Sequence, residues 1–358
     1  MKNIYIIIII ILLIVGGLFL LRQQPSKDTL NMLAWIGYEE PELIKPFEEQ
    51  YKVKVNVKTY IGGDQMFTLL SQSKNQYDVV IVDPEFIEKL YGAGRLSELD
   101  TTDYNFNDYL EPFRKFPLAW INNKLYAVIV RFGSNGLAYN TKYLSQDDVS
   151  SYNVLWDQKV KGKVGIWDWY LPSMGVISKY LGFDEPYKLS EGEFQKLRSA
   201  VLSLKPQVAA VHPNPAEIKA ALAVEQTWIV PAAGEWIVAD LQADGYPIDW
   251  TVPKEGGIMW IEALVIPTDS QNIALAKKFI QYMQTPEAQS QLMWRKAYKS
   301  AAPNTKAISR LDETQQDTLH LHNAQEAIDL VNKLSVRMLP VNQSEAEWQK
   351  VWQEFKTR

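Results

Sequence analysis

The chain has 358 residues, of which 47% are hydrophobic and 22% charged, a length and balance that suit two packed domains and exclude disorder for the bulk of it. Its 37 basic and 42 acidic residues leave a net charge of −5, which argues against nucleic-acid binding. Cys is absent, which excludes disulfides, thiolate metal sites and Cys nucleophiles together.

Ile4 to Leu21 is an uninterrupted apolar run between Lys2 and Arg22. It reads either as an uncleaved membrane anchor at the short end of the spanning range or as a cleaved secretory signal. Both readings place the rest of the chain outside the cytoplasmic membrane, in the periplasm or at the extracytoplasmic face. No Cys follows the run, so a lipid attachment is excluded.

Strands and helices then alternate. Leu30–Trp35 reads as a strand, and Glu40–Tyr51 as a helix with Leu43, Phe47 and Tyr51 on one face. Val53–Tyr60 alternates as a strand does, Gly63–Ser73 has helical spacing, and Tyr77–Val82 is a continuous apolar run suited to a buried parallel strand. Pro84 opens a helix for which Asp83 is a candidate cap. After a strand at Leu125–Val130, Arg131–Asn140 is expected to cross into a second unit. That unit comprises strands at Gly162–Trp167, Gln207–Val211 and Thr227–Pro231, with helices at Ser173–Leu181, Glu191–Leu204, Ala216–Val224 and Glu235–Asp244. Pro247–Pro253 and Gly256–Pro267 read as returning strands. Helices follow at Gln271–Gln284 and Pro286–Arg295, then a helical, amphipathic tail over Asp312–Arg358. The expected architecture is two α/β lobes with mainly parallel sheets, joined by crossing strands around a cleft. The boundaries fall at residues 1–28 for the leader and linker, 29–132 and 251–311 for the first lobe, 133–250 for the second, and 312–358 for the tail.

Catalytic patterns are missing. There is no GxGxxG, no GxxxxGK[ST] and no GxSxG. Of the three His residues, His320 and His322 are two apart and cannot chelate one metal from a helix face. The expectation is a binding protein rather than an enzyme, with no cofactor and no metal.

Chemistry of another kind gathers at the expected cleft edge, beyond the carboxyl ends of the strands. The first loop carries Trp35, Tyr38 and Glu39, the third Asp83 and Glu85, the second lobe's first strand ends in Trp167-Asp168-Trp169, and the return strand carries Trp260 and Glu262. Trp260 and Glu262 lie two apart and share a strand face. Rings attract a cation by about 0.5–2 kcal/mol per contact, and carboxylates bind N–H groups by charge-assisted hydrogen bonds. The mixture suits an ammonium ligand. Most of the 12 Trp must nonetheless serve packing; Trp120, Trp156, Trp228 and Trp294 are assigned to it. Asp83 has helix capping as its plainer role, and Asp168 an internal salt bridge.

The stretch Val252–Pro267, VPKEGGIMWIEALVIP, resembles the signature region of the spermidine/putrescine-binding periplasmic proteins, receptors of polyamine ABC transporters. Trp35-x-x-Tyr38, Tyr77-Asp78-Val79-Val80, Gly136-Leu137-Ala138-Tyr139-Asn140, Gly162-Lys163-Val164 and Pro303-Asn304 fall in that family's order. The resemblance implies the type II periplasmic-binding-protein fold, a monomer, a polyamine ligand such as putrescine or spermidine, and a membrane permease as partner. It implies Trp35 and Tyr38 along the cleft, Asp168 on one amine, and Trp260 with Glu262 as the central pair. Trp169 and Glu235 join the candidate set by position. The chain departs from the family's pattern at Glu262, where Asp is usual, and at Asp83 and Glu85, where a small hydroxyl residue and Tyr are usual. An aromatic is missing before Gly234, where Ala232 and Ala233 stand. Arg131 favours a carboxylate or phosphate, and so raises a second ligand class, a zwitterion such as an ω-amino acid.

Overall fold

The computed structural model describes residues 28–357; the apolar run Ile4–Leu21 lies outside the described residues. The first half is built from β1 (Thr29–Trp35), α1 (Pro41–Tyr51), β2 (Lys54–Tyr60), α2 (Gly63–Gln72) and β3 (Val79–Val82). A long strand, β4 (Val128–Asn140), leads to β5 (Val164–Trp167), α3 (Tyr170–Tyr180), α4 (Glu191–Ser203), β6 (Val208–His212) and α5 (Pro215–Ala223). The second half is completed by β7 (Ile229–Ala233), α6 (Glu235–Ala243) and β8 (Ile248–Thr251). Then β9 (Gly257–Val265) returns, followed by α7 (Ile273–Met283), α8 (Pro286–Met293), α9 (Ala324–Asn332), β10 (Leu334–Val336) and α10 (Glu345–Lys356).

The strands run in the order β2-β1-β3-β9-β4-β7-β5-β6, with β8 on β4 and β10 on β9. Both flanks are parallel, β2-β1-β3 and β7-β5-β6, as helical crossovers require. The centre, β3-β9-β4-β7, is antiparallel. It belongs to the strands that pass between the halves.

β4 is the principal link. All 13 of its residues are buried. Its first part pairs with β9, while Gly136–Tyr139 pair with β7 and Leu137–Asn140 with β8. The partner changes at Gly136, where the register against β7 shifts. A Cβ there would come within 2.2 Å of the Thr251 carbonyl oxygen, so the close passage of β8 requires glycine.

Local chemistry explains the flanking elements. β3 is VVIV, buried throughout, the pattern of a strand covered on both faces. α1 starts at Pro41 and turns Leu43, Ile44 and Phe47 inward, the 3.6-residue spacing of an amphipathic helix. Two apolar cores serve the two halves. A third cluster, with Trp236, Ile237, Trp250 and Trp260, draws on both.

The tail differs from the helical expectation. α9 and α10 are helices, but Leu334–Val336 forms β10, parallel to β9 from Gly257↔Leu334 to Met259↔Val336. Edge hydrogen bonding to β9 outweighs local propensity over these three residues. Among the described residues no helix is long and apolar enough to cross a membrane.

Candidate ligand-binding site

The carboxyl ends of β1 and β3, the middle of β9 and the amino ends of α5 and α6 converge on a cavity of about 370 Å³. That volume suits a small organic ligand. Six rings stand in its walls: Trp35, Trp167, Trp169, Trp236, Trp260 and Tyr298. The carboxylates that line it are Asp83 and Glu262, and the cations are Lys219 and Arg337.

The register places the two carboxylates together. Val82 pairs with Ala263, so Asp83 and Glu262 project from neighbouring strand positions. Glu262 is buried and accepts hydrogen bonds from the Tyr38 hydroxyl at 2.7 Å and the Tyr298 hydroxyl at 2.5 Å. Burial, with Glu262 adjacent, raises both Tyr pKa values well above the ordinary phenol value, so these hydroxyls stay protonated and donate. Behind them lies Arg131, fully buried. Its Nη1 is 3.9 Å from Glu262, its guanidinium stands 3.9 Å over the Tyr298 ring, and it donates to Ser300 and the Tyr298 carbonyl.

Trp260 pairs with Gly133 across the β9–β4 ladder. A Cβ on Gly133 would meet Trp260 Cζ2 at 2.4 Å and Glu235 Oε1 at 2.0 Å. Glycine is what lets the indole lie flat over β4. Glu235, at the start of α6, is buried and accepts from the Ser134 amide at 3.0 Å and the Ser134 hydroxyl at 2.5 Å. Burial pushes its pKa up to about 7 against those two hydrogen bonds.

Asp83 accepts from the Trp35 indole N–H at 3.2 Å and meets Arg337 at 3.1 Å. It caps nothing with its side chain. Burial pushes its pKa up to about 8, and Arg337 opposes the rise. Arg337 also donates to Glu85 and stands 4.4 Å over the Trp169 ring. Trp35 and Trp169, from opposite halves, face each other with ring centroids 6.2 Å apart.

The candidates from sequence thus fall into groups. Trp35, Asp83, Trp169, Trp260 and Glu262 line the cavity. Tyr38 supports it from beneath through Glu262, Glu85 through Arg337, and Glu235 through Ser134. Asp168 points to α10, accepting from the Trp352 indole at 2.8 Å and pairing with Lys356 at 2.9 Å. Sequence reasoning missed Asn135, Lys219, Tyr298 and Arg337. For Tyr298 the neighbouring Pro303-Asn304 was a usable signal. Arg337 carried none, because it follows a three-residue strand inside a tail read as helix.

Unpartnered polar atoms cluster here. Among the described residues, Asp83 Oδ2, Trp260 Nε1 and both amide atoms of Asn135 have no hydrogen-bond partner. Each is buried and borders the cavity, where a ligand's polar groups would satisfy them. No group of acidic or His residues suited to a metal occurs among the described residues.

Comparison with known proteins gives the family and the fold. The family model of the bacterial extracellular solute-binding proteins matches residues 42–321. The spermidine/putrescine-binding periplasmic protein of Escherichia coli (strain K12) is 26% identical over 275 residues, 75% of this chain and 76% of that protein. The putrescine/cadaverine-binding protein of Pseudomonas aeruginosa is 25% identical over 273 residues, covering 73% of this chain and 76% of its own. Among solved structures, the spermidine/putrescine substrate-binding protein PotD of Streptococcus pneumoniae superposes with a TM-score of 0.76 at 20% identity, over 92% of this chain and 98% of its own. A GABA receptor superposes with a TM-score of 0.73 at 16% identity, over 92% and 98% respectively. At these identities the structural likeness establishes the two-lobed binding-protein fold.

Proposed function

This chain belongs to the bacterial extracellular solute-binding proteins, and on that premise we propose that it captures a small organic amine for an ABC-type uptake system. The observation that carries the reading is Glu262. It is a buried carboxylate on the wall of an aromatic cavity, oriented by two Tyr hydroxyls that remain donors. A carboxylate so fixed prefers an ammonium, and ring faces such as Trp260 supply cation–π attraction and a bed for methylenes. Polyamines, for which the relatives are named, are one such class. Zwitterions such as ω-amino acids are a second, favoured by Lys219 in the cavity lining.

The ligand is held and released unchanged. The two halves, divided near residues 132 and 250, close over it about β4 and β9, and a membrane permease reads the closed form. The leader Ile4–Leu21 carries the chain across the membrane, so that capture takes place at the extracytoplasmic face.

Thermal-shift measurement on the purified protein tests the reading. Amines of four to ten heavy atoms at about 100-fold over Kd should add about 2.7 kcal/mol, a rise of several degrees in Tm. Neutral alcohols of the same length should add nothing. An equal rise with the alcohols would contradict it.

A further inference from the structure

The charges around the cavity are sorted by side. At the β3–β9 end, Arg337 contacts Asp83 at 3.1 Å, donates to Glu85 and stands 4.4 Å over Trp169. Two carboxylates and an indole face are the partners that a ligand's own amine would seek. Arg337 is 3% exposed, so it is a fixed part of the wall. Asp83 and Glu85 are thereby engaged by Arg337, and Glu262, with Arg131 standing 3.9 Å behind it, is the carboxylate of this wall left to a ligand's ammonium.

The α5 side has the opposite sign. Lys219 lines the cavity, and its partner Asp240 is shared with Lys299, which leaves one positive charge. Asn214, Pro215 and Ala216, at the amino end of α5, line the cavity too; Asn214 caps that end by accepting from the Glu217 amide, and Glu217 in the first turn is not part of the cavity wall. Asn135, on β4 opposite Ile258, borders the same cavity, fully buried and with both amide atoms unpartnered. No carboxylate lines this side: those of the cavity wall are Asp83 and Glu262.

Building on the amine reading above, we propose that Arg337 fills a second cation position from within the protein. The receptor then takes a ligand with one ammonium, at Glu262, and a carboxylate directed toward Lys219 and Asn135. That ligand class is an ω-amino acid rather than a diamine.

Calorimetry of the full chain with three four-carbon probes, 4-aminobutyrate, butylamine and putrescine, tests this. The wild type should bind 4-aminobutyrate at least tenfold more tightly than putrescine. Lys219→Gln alters a side chain at the cavity rim and should weaken 4-aminobutyrate about tenfold, leaving butylamine within twofold. Arg337→Gln should shift the preference toward putrescine by tenfold or more. If that variant does not fold by circular dichroism, the wild-type ranking and Lys219→Gln still decide. Putrescine binding as tightly as 4-aminobutyrate, or Lys219→Gln weakening both monoamines alike, overturns this proposal and leaves the amine reading standing. Silence with all three probes overturns both.

Discussion

Glu262 is oriented without being neutralised. Two Tyr hydroxyls satisfy part of its hydrogen-bonding capacity, and the nearest cation, Arg131, stands 3.9 Å away. A charged hydrogen bond is worth about 1.5–3 kcal/mol, so Glu262→Gln should weaken amine binding roughly 10- to 100-fold, with an unchanged far-ultraviolet spectrum. Asp168 gives the opposite expectation. Its carboxylate is held by Trp352 and Lys356 on α10, so Asp168→Asn should leave calorimetric affinity within about twofold while lowering Tm. A large loss of affinity would return Asp168 to the site. Trp260 and Glu262 were legible in the sequence because strand alternation puts both on one face. The neutralisation of Asp83 and Glu85 was not legible, because their partner Arg337 lies some 250 residues along the chain and nothing local marks it.

Glu235 adds a pH dependence at the same scale. Burial raises its folded-state pKa from 4.5 to about 7. For a carboxyl group shifted upward, the stabilisation is complete below the unfolded value and is lost as pH rises through the folded one. Stability should therefore decline between about pH 5 and pH 8, by roughly 3 kcal/mol at most from this group. Denaturation of wild type and Glu235→Gln across that range checks it: the variant's profile should be flatter.

At the level of elements, β4 and β9 carry the design. Their ladder sets Trp260 against Gly133 and Glu262 against Arg131, with an irregularity just after Glu262. Bulges of this kind re-aim side chains beside functional sites. α10 acts differently. It buries Trp348, Val351, Trp352 and Phe355 in the second half's core. Trp348→Ala removes a fully buried indole and should cost about 3–5 kcal/mol in urea unfolding. A loss below 1 kcal/mol would show that α10 is dispensable. Helical periodicity made α10 readable in the sequence, and the strand–helix alternation gave the parallel flanks. β10 escaped because three residues carry no period; only its edge pairing with β9 defines it.

At the scale of the molecule, two halves meet at an aromatic seam. Trp35 from one and Trp169 from the other lie 6.2 Å apart, and β4 and β9 run between the halves. A bound amine that bridges Glu262 and the opposite wall favours the closed arrangement by its differential affinity. Small-angle scattering should show a smaller radius of gyration with ligand than without.

The central claim is that Glu262 reads the ligand's ammonium inside the ring-walled cavity. Calorimetry in a two-by-two design tests it most directly, pairing wild type and Glu262→Gln with an amine ligand and its neutral hydroxyl analogue. The account expects wild type to prefer the amine by tenfold or more and the variant to lose most of that preference. An undiminished preference in the variant would contradict it.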